Sequence, residues 1–381
     1  MRRESGTPRP DWRQRCEKDG FSFHSMGGTY WDENACYAFD AAQIDRLEEA
    51  TTELHALCLK AVEEVVSARR FGEFGIPSAF HDFVAQSWRR SEPSLYGRFD
   101  LSWDGSGEPK LLEYNADTPT ALLEASVVQW RWLEDTHPAA DQFNSIHEKL
   151  IARWQAIRTS WNRSVLHLAC VRDSEEDFSN TEYLRDCALQ AGWDARPLFI
   201  EDLGWNGKRF VDRENAPVEA LFKLYPWEWL VREEFGAHLT GDPTAWIEPP
   251  WKMLLSNKAL LVVLWELYYG HPNLLPAYFD DKRLAGEYAR KPLLSREGAN
   301  VTLRKRFGPR AGTLEEPGGY GQEGFIYQGL APLPEFGGPH SPRYPVIGSW
   351  VVGEQAAGIG IREDDSPITR NTSRFIPHYF S

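Results

Sequence analysis

Glu113 and Asn115 stand two apart in the stretch LLEYNADTPTALLEA, residues 111–125, at the end of a short apolar run. On a β-strand alternate side chains share a face, so these two project together while Tyr114 points the other way. A carboxylate and an amide carbonyl side by side offer hard oxygens. They suit Mg²⁺, which takes few ligands from protein and leaves the rest to water and phosphate. Glu-x-Asn is also common, and by itself fits a strand end with two solvated polar residues. Upstream, YGRFDLSW alternates, which puts Arg98 and Asp100 on one face, and Asp104-Gly105 before Lys110 signals a hairpin turn. Pairing the two strands gathers Arg98, Asp100, Glu113 and Asn115 into one patch, suited to a metal-bound polyphosphate with a cation beside it.

Two lysines add to this pattern. Lys258 opens a helix in LLSNKALL, and Lys291 lies on a strand in YARKPLLSREGANV. A strand lysine can reach nucleotide phosphates as a point charge. The small-residue loop SREGAN, 295–300, could cover phosphates with its backbone N–H groups. Each lysine taken singly reads first as a solvated surface charge, and the loop is neither a Walker loop nor GxGxxG.

The elements that must position these groups follow from periodicity. Residues 40–70 predict an amphipathic helix capped by Asp40, 119–135 a helix with Pro119 early and Leu122, Leu123, Val127 and Trp130 on one side, and 139–159 a further helix. A buried-type strand at 164–171, a helix at 178–192 and a strand in ARPLFIEDL form a β-α-β succession, which predicts a small doubly wound lobe, continued by VEALFKLYPWEWL. Residues 256–270 predict a helix. The last third turns to short strands between Gly and Pro turns, with a glycine-rich loop at 315–324.

Bulk properties narrow the function. The chain has 381 residues, 42% of them apolar, and a formal net charge of −14. That charge argues against a general nucleic-acid or anionic-membrane binder and is compatible with a cationic substrate. Five scattered cysteines form neither a zinc spacing nor a disulfide framework, the N-terminus lacks an apolar signal core, and the longest apolar run is about seven residues against the about 20 that a membrane span needs. A soluble, cytoplasmic protein is expected. Sixteen tryptophans read as core packing or as an aromatic-walled cleft.

A carboxylate on one strand, Glu-x-Asn on the next, two separated lysines and a glycine loop resemble the ATP-grasp ligases. In most of these the lysines precede Glu-x-Asn. Here Glu113-Tyr114-Asn115 comes first, as in the circularly permuted synthetase domain of the glutathionylspermidine synthase family. The ordered set GRFDL, LLEYNADTPTALLEA, DSEED, EPPWKMLLSNKALL, YARKPLLSREGANV, IYQ and GIGIRED is similar to that family over nearly the whole chain from about residue 12. The resemblance implies an α+β / α/β fold: a circularly permuted ATP-grasp unit with the small doubly wound lobe attached. It implies one unit over residues 1–381 with approximate sub-lobes 12–160, 161–250 and 251–381. They would be an N-terminal part with the metal-binding hairpin, an α/β substrate lobe and a nucleotide-binding lobe.

Position by position, the resemblance implies that Asp100, Glu113 and Asn115 hold Mg²⁺ and that Arg98 is catalytic, stabilising the acyl phosphate and the transition state. Arg98, Asp100, Lys258, Lys291, Gly298 and Gln328 would form the ATP site, with Gln328 near the adenine. Thr118, Thr120, Glu175, Glu176 and Arg362 would face the substrates, the threonines standing where serine is frequent. The implied reaction joins a small-molecule acid, such as a peptide or amino acid, to an amine such as a polyamine, using ATP and Mg²⁺. A carboxylate kinase or an inactive nucleotide-binding scaffold are the rival readings. Leu224 and Trp229 replace threonines that touch glutathione in the bifunctional synthetases, which argues against glutathione as the acid. The chain is also shorter than those enzymes, whose amidase domain it does not match.

Overall fold

The computed structural model describes residues 1–25, 28–306, 311–331, 333–338 and 340–381. Its longest helix, Ala41–Ser67, begins at a reciprocal cap: the Asp40 carboxylate accepts from the Gln43 backbone N–H at 2.8 Å, and the Gln43 side chain accepts from the Asp40 N–H at 3.2 Å. The cap satisfies donors that a helix start leaves open. Leu47, Leu54, Cys58, Ala61, Val62 and Val65, spaced at helical intervals, are fully buried along one side. That side packs against the central sheet and the helix Ala259–Leu267.

The central sheet runs Arg374–Ile376, Gln355–Asp364, Tyr344–Val352, Tyr96–Ser102, Lys110–Asn115, antiparallel throughout. Segments far apart in the chain therefore meet in one layer. The last two strands are the expected hairpin, with Arg98 opposite Asn115 and Asp100 opposite Glu113, and a bulge between Asp100 and Leu101. On the far face Tyr114 stacks on Phe99 with 3.8 Å between ring centroids, and its hydroxyl bonds His55 Nδ1 at 3.0 Å. This aromatic packing against the long helix fixes which face of the hairpin turns outward.

A second antiparallel sheet runs Ala277–Tyr278, Phe325–Gly329, Tyr288–Pro292, Thr302–Lys305, Gly312–Glu315. The third is parallel, in the order Ala245–Ile247, Ala220–Leu224, Val165–Cys170, Asp194–Phe199, with the helix Glu175–Gln190 crossing between its last two strands. The β-α-β succession thus forms the expected α/β lobe. Among the described residues no helix is long and apolar enough to cross a membrane.

Two helices start later than their periodicity suggests. Ala121 sits at φ 65°, in the left-handed region, so the helix opens at residue 122 rather than near Pro119. It then passes through a π turn, Glu124–Val128, before Gln129–Thr136. The wider turn rotates the buried side to Leu122, Leu123, Ala125 and Val128 and leaves Trp130 36% exposed. The next helix, Ile146–Trp161, starts beyond residue 139 because Asp141 and Asn144 bridge to Phe380 and Gly358, pairing that helical backbone cannot make.

Candidate active site

The hairpin places its four polar residues in direct contact. Arg98 Nε donates to Asp100 Oδ1 at 2.8 Å and Nη2 to Oδ2 at 3.2 Å, a two-pronged bond, while Nη1 donates to the Thr120 carbonyl at 2.7 Å. Asn115 Nδ2 reaches Glu113 Oε1 at 3.0 Å and Asp100 Oδ2 at 3.4 Å. The amide thus bridges two carboxylates with its donor side. Turned over, it would present Oδ1, completing an all-oxygen donor set that fits a hard divalent cation.

Both lysines are buried and face this patch, which rules out the solvated-surface reading. Lys258 precedes the helix Ala259–Leu267, whose apolar run from Ala259 to Trp265 is buried and makes it a core element. Its Nζ donates to the Ser295 carbonyl at 2.8 Å and stands 3.1 Å from Glu113 Oε2. Lys291 Nζ donates to the Leu112 carbonyl at 2.8 Å and to Gln328 Oε1 at 2.7 Å, and Gln328 Nε2 donates to the Leu111 carbonyl at 2.9 Å. Gln328 and Lys291 therefore each tie the second sheet to the hairpin.

The electrostatics follow from burial and these neighbours. Burial raises the proton affinity of Glu113, but Lys258 and Lys291 outweigh it and hold the carboxyl at about 2. Asp100 is pushed up by burial and Glu113, against the pull of Arg98. Burial brings Lys291 down to about 8, with Glu113 opposing. Three cations around two carboxylates leave a site biased toward anions.

A cavity of about 640 Å³ opens from this patch between the two antiparallel sheets. Asp100, Glu113 and Lys291 line one end; Leu303, Leu314, Leu330 and Leu333 line its apolar part. Gly298 closes on it at φ 71°, where a Cβ would stand 2.5 Å from the Thr369 carbonyl oxygen, so only glycine fits this loop position.

The remaining expected residues scatter around this core. Arg362 lines, with Arg98 and Asp100, a narrow space at the polar end, and its Nη2 donates to the Arg370 and Asn371 carbonyls. Thr118 accepts from Arg296, which also donates to Glu228 Oε1 at 2.7 Å. Thr120 meets Arg98 through its carbonyl. Glu176 is half-buried at the start of its helix, and Glu175 is exposed and accepts from Ser22. Leu224 is buried in the parallel sheet, whereas Trp229 is 40% exposed with the Arg296 guanidinium 5.8 Å from its ring centroid.

Sequence reasoning missed Gly348, Arg296 and Glu124. Gly348 lies on a strand more than 200 residues away from Arg98, and Arg296 reads as loop punctuation inside SREGAN. Glu124 sits inside the quoted motif, yet only the π turn reveals that it points inward. Asp117 belongs to the frame: its carboxylate accepts from Lys223 Nζ at 2.6 Å and from the Trp227 N–H at 2.9 Å, with both charged side chains buried.

The fold is that of glutathione-synthetase-like proteins. A glutathione synthetase-like effector from Globodera pallida, in its apo form, matches 97% of this chain and 96% of its own with a TM-score of 0.58, at 10% identity. The chain belongs to the glutathionylspermidine synthase preATP-grasp family, which it matches over residues 3–381. A Haemophilus influenzae protein provisionally named acid–amine ligase is 46% identical over 396 residues, covering 100% of both chains. A trypanothione synthetase from Crithidia fasciculata is 28% identical over 85% of this chain and 53% of its own, so this chain spans about half of that relative.

Proposed function

We propose that this protein is an ATP-dependent carbon–nitrogen ligase that joins a small carboxylic acid, an amino acid or peptide, to an amine of the polyamine kind through an acyl phosphate. Family membership and the full-length similarity to the Haemophilus acid–amine ligase support the reaction class. The observation that carries the mechanism is the convergence of Arg98, Lys258 and Lys291 on Asp100 and Glu113 at the polar end of the 640 Å³ cavity. The late position of the two lysines relative to Glu113-Tyr114-Asn115 supports a circularly permuted ATP-grasp arrangement.

In this reading the apolar part of the cavity takes the adenine and its polar end the triphosphate. Asp100, Glu113 and Asn115 would hold Mg²⁺, which when bound neutralises charge on the phosphates. Lys258 and Lys291 bind phosphate oxygens from fixed positions, since backbone carbonyls of Ser295 and Leu112 already aim their ammonium groups. Arg98, held by Asp100 and the Thr120 carbonyl, needs no reorganisation to meet the charge that develops as the acid carboxylate attacks the γ-phosphorus. A bond from carboxylate oxygen to phosphorus forms and the bond to ADP breaks. The amine then attacks the acyl carbon, and inorganic phosphate leaves. The Gly298 loop, closed over the cavity, keeps water from the acyl phosphate.

The test incubates the protein with ATP, Mg²⁺, a mixture of the twenty amino acids and glutathione, and either spermidine or hydroxylamine. ADP release that depends on the nucleophile, with an amide or hydroxamate identified by mass spectrometry, is expected. ADP release without any nucleophile-derived product would point to a carboxylate kinase, and no ADP release with either nucleophile would overturn the ligase reading.

A further inference from the structure

The strand Gln355–Asp364 ends in Arg362-Glu363-Asp364, and strand alternation sends Arg362 and Asp364 to one side and Glu363 to the other. Glu363 joins the frame, accepting from Arg3 Nε at 2.6 Å and from the Tyr37 hydroxyl at 2.7 Å. Asp364 is buried and has no part in the scheme above. Its carboxylate accepts from the connection that follows it, residues 365–373: from the Ser366 N–H at 3.0 Å, from Arg370 Nε at 3.3 Å, and from Arg370 Nη2 and Ser373 Oγ. Ser373 Oγ in turn accepts the Arg370 N–H at 2.8 Å. One carboxylate thus folds the connection back on itself. Charge-assisted bonds to a carboxylate kept from water are the strong kind, unlike those of an exposed ion pair.

Two parts of the site depend on that connection. Arg362 lines the narrow space beside Arg98 and Asp100. Its Nη2 donates to the Arg370 and Asn371 carbonyls, the second at 3.3 Å, and its Nε has no partner among the described residues. Backbone carbonyls of the connection therefore set where this guanidinium points. Thr369 lines both the narrow space and the 640 Å³ cavity, and Ile368 lines the cavity beside it. The Gly298 loop rests on these two residues: a Cβ at 298 would stand 2.5 Å from the Thr369 carbonyl oxygen and 2.7 Å from Ile368 Cγ2. A change in the backbone of 365–373 would move the guanidinium and the loop together.

We propose that Asp364 is a positioning residue for the ligation: it shapes residues 365–373 so that their carbonyls aim Arg362 and Thr369 seats the Gly298 loop. The assignment rests on the ligase reading above. A guanidinium already aimed needs no reorganisation to meet the charge on the acid or on the transferring phosphoryl group. A seated loop keeps water from the acyl phosphate. Without the Asp364 charge, rate is lost through Arg362 and water competes with the amine through the loop. In that side reaction water adds to the acyl carbon and the bond from carbon to phosphate oxygen breaks with its electrons. One water proton goes to the phosphate and the other to solvent. The acid is regenerated, so ADP forms without amide.

Asp364→Asn keeps the side-chain shape and removes the charge that holds Arg370. Arg370→Met breaks the same pair from its more exposed end, and decides the matter if Asp364→Asn does not fold. The experiment measures ADP and amide or hydroxamate from the wild type, from both variants, from Arg362→Lys, and from each variant combined with Arg362→Lys. It uses ATP, Mg²⁺ and the same amino-acid and glutathione mixture, with spermidine or hydroxylamine as nucleophile. Asp364→Asn and Arg370→Met should each slow ADP release on the order of 100-fold, the scale of a misplaced site group. In the Arg362→Lys background either change should cost less than about threefold more, because both act through one guanidinium. Product formed per ADP should fall in both variants and stay near wild type in Arg362→Lys alone. Losses in ADP release that multiply in the double variants, or a product-to-ADP ratio equal to wild type, overturn the proposal while leaving the ligase reading standing. A wild-type protein that turns over with neither nucleophile overturns both.

Discussion

Gly348 lies beneath the Arg98 side chain: a Cβ at position 348 would stand 2.8 Å from Arg98 Cδ. The same residue pairs with Asp100 across the sheet, so the guanidinium crosses a bare stretch of strand to reach its carboxylate. Gly348→Ala should lift Arg98 off this bed and loosen its hold on Asp100. Turnover should drop on the order of 100-fold, as when a preorganised charge donor is displaced, with ATP affinity little changed. Steady-state ADP release and calorimetric ATP binding on the purified variant check this; a near wild-type turnover would show that Arg98 position is unimportant.

Arg98→Ala and Glu113→Gln should separate transition-state stabilisation from nucleotide holding. Loss of the guanidinium should cut turnover on the order of 100-fold and spare ATP affinity. Loss of the Glu113 charge should weaken both, and should abolish the dependence of ATP affinity on Mg²⁺ that the wild type shows when titrated with and without EDTA. If Arg98 serves only to pair with Asp100, its removal will instead lower melting temperature and ATP binding together.

ATP binding should be linked to a proton at Lys291. Burial lowers this ammonium to about 8, against Glu113, so in the free protein it is charged below that pH and loses its charge as pH rises through it. Phosphate favours the charged form. Binding at about pH 9 should therefore take up a proton and be weaker, whereas binding at about pH 6.5 should take up none at this group. Calorimetry in buffers of different ionisation enthalpy reads the uptake directly, and Lys291→Met should remove it.

Asp117 is expected to govern stability rather than chemistry. Asp117→Ala would strand the buried Lys223 ammonium without its partner, at a cost of about 3–5 kcal/mol. Thermal and denaturant unfolding should show the loss, and the double variant with Lys223→Met should recover part of it. Turnover per folded molecule should be near wild type.

The chain pattern alone determined much of this site. Alternation in YGRFDLSW and KLLEYN, with Asp-Gly between, is enough to place Arg98, Asp100, Glu113 and Asn115 on one face, because strand periodicity and hairpin pairing are local rules. The cap at Asp40 and the β-α-β order of the parallel lobe were legible for the same reason. Helix starts at 122 and 146 were not, since a left-handed Ala121 and long-range bridges to Phe380 and Gly358 override local propensity.

Tertiary structure decided the rest. Whether Lys258 and Lys291 were solvated or aimed at Glu113 depended on carbonyls at Ser295 and Leu112, which any residue type supplies and no motif records. The groove under Arg98 depended on Gly348, brought alongside only by strand pairing across some 250 positions. Glu124 carries no local signal, and the fold alone encloses it in the π turn against Tyr30. Sequence states which groups a chain carries and what its local periodicity does with them. Burial and backbone acceptors arise from contacts between distant segments, and those contacts set the charge states on which this site depends.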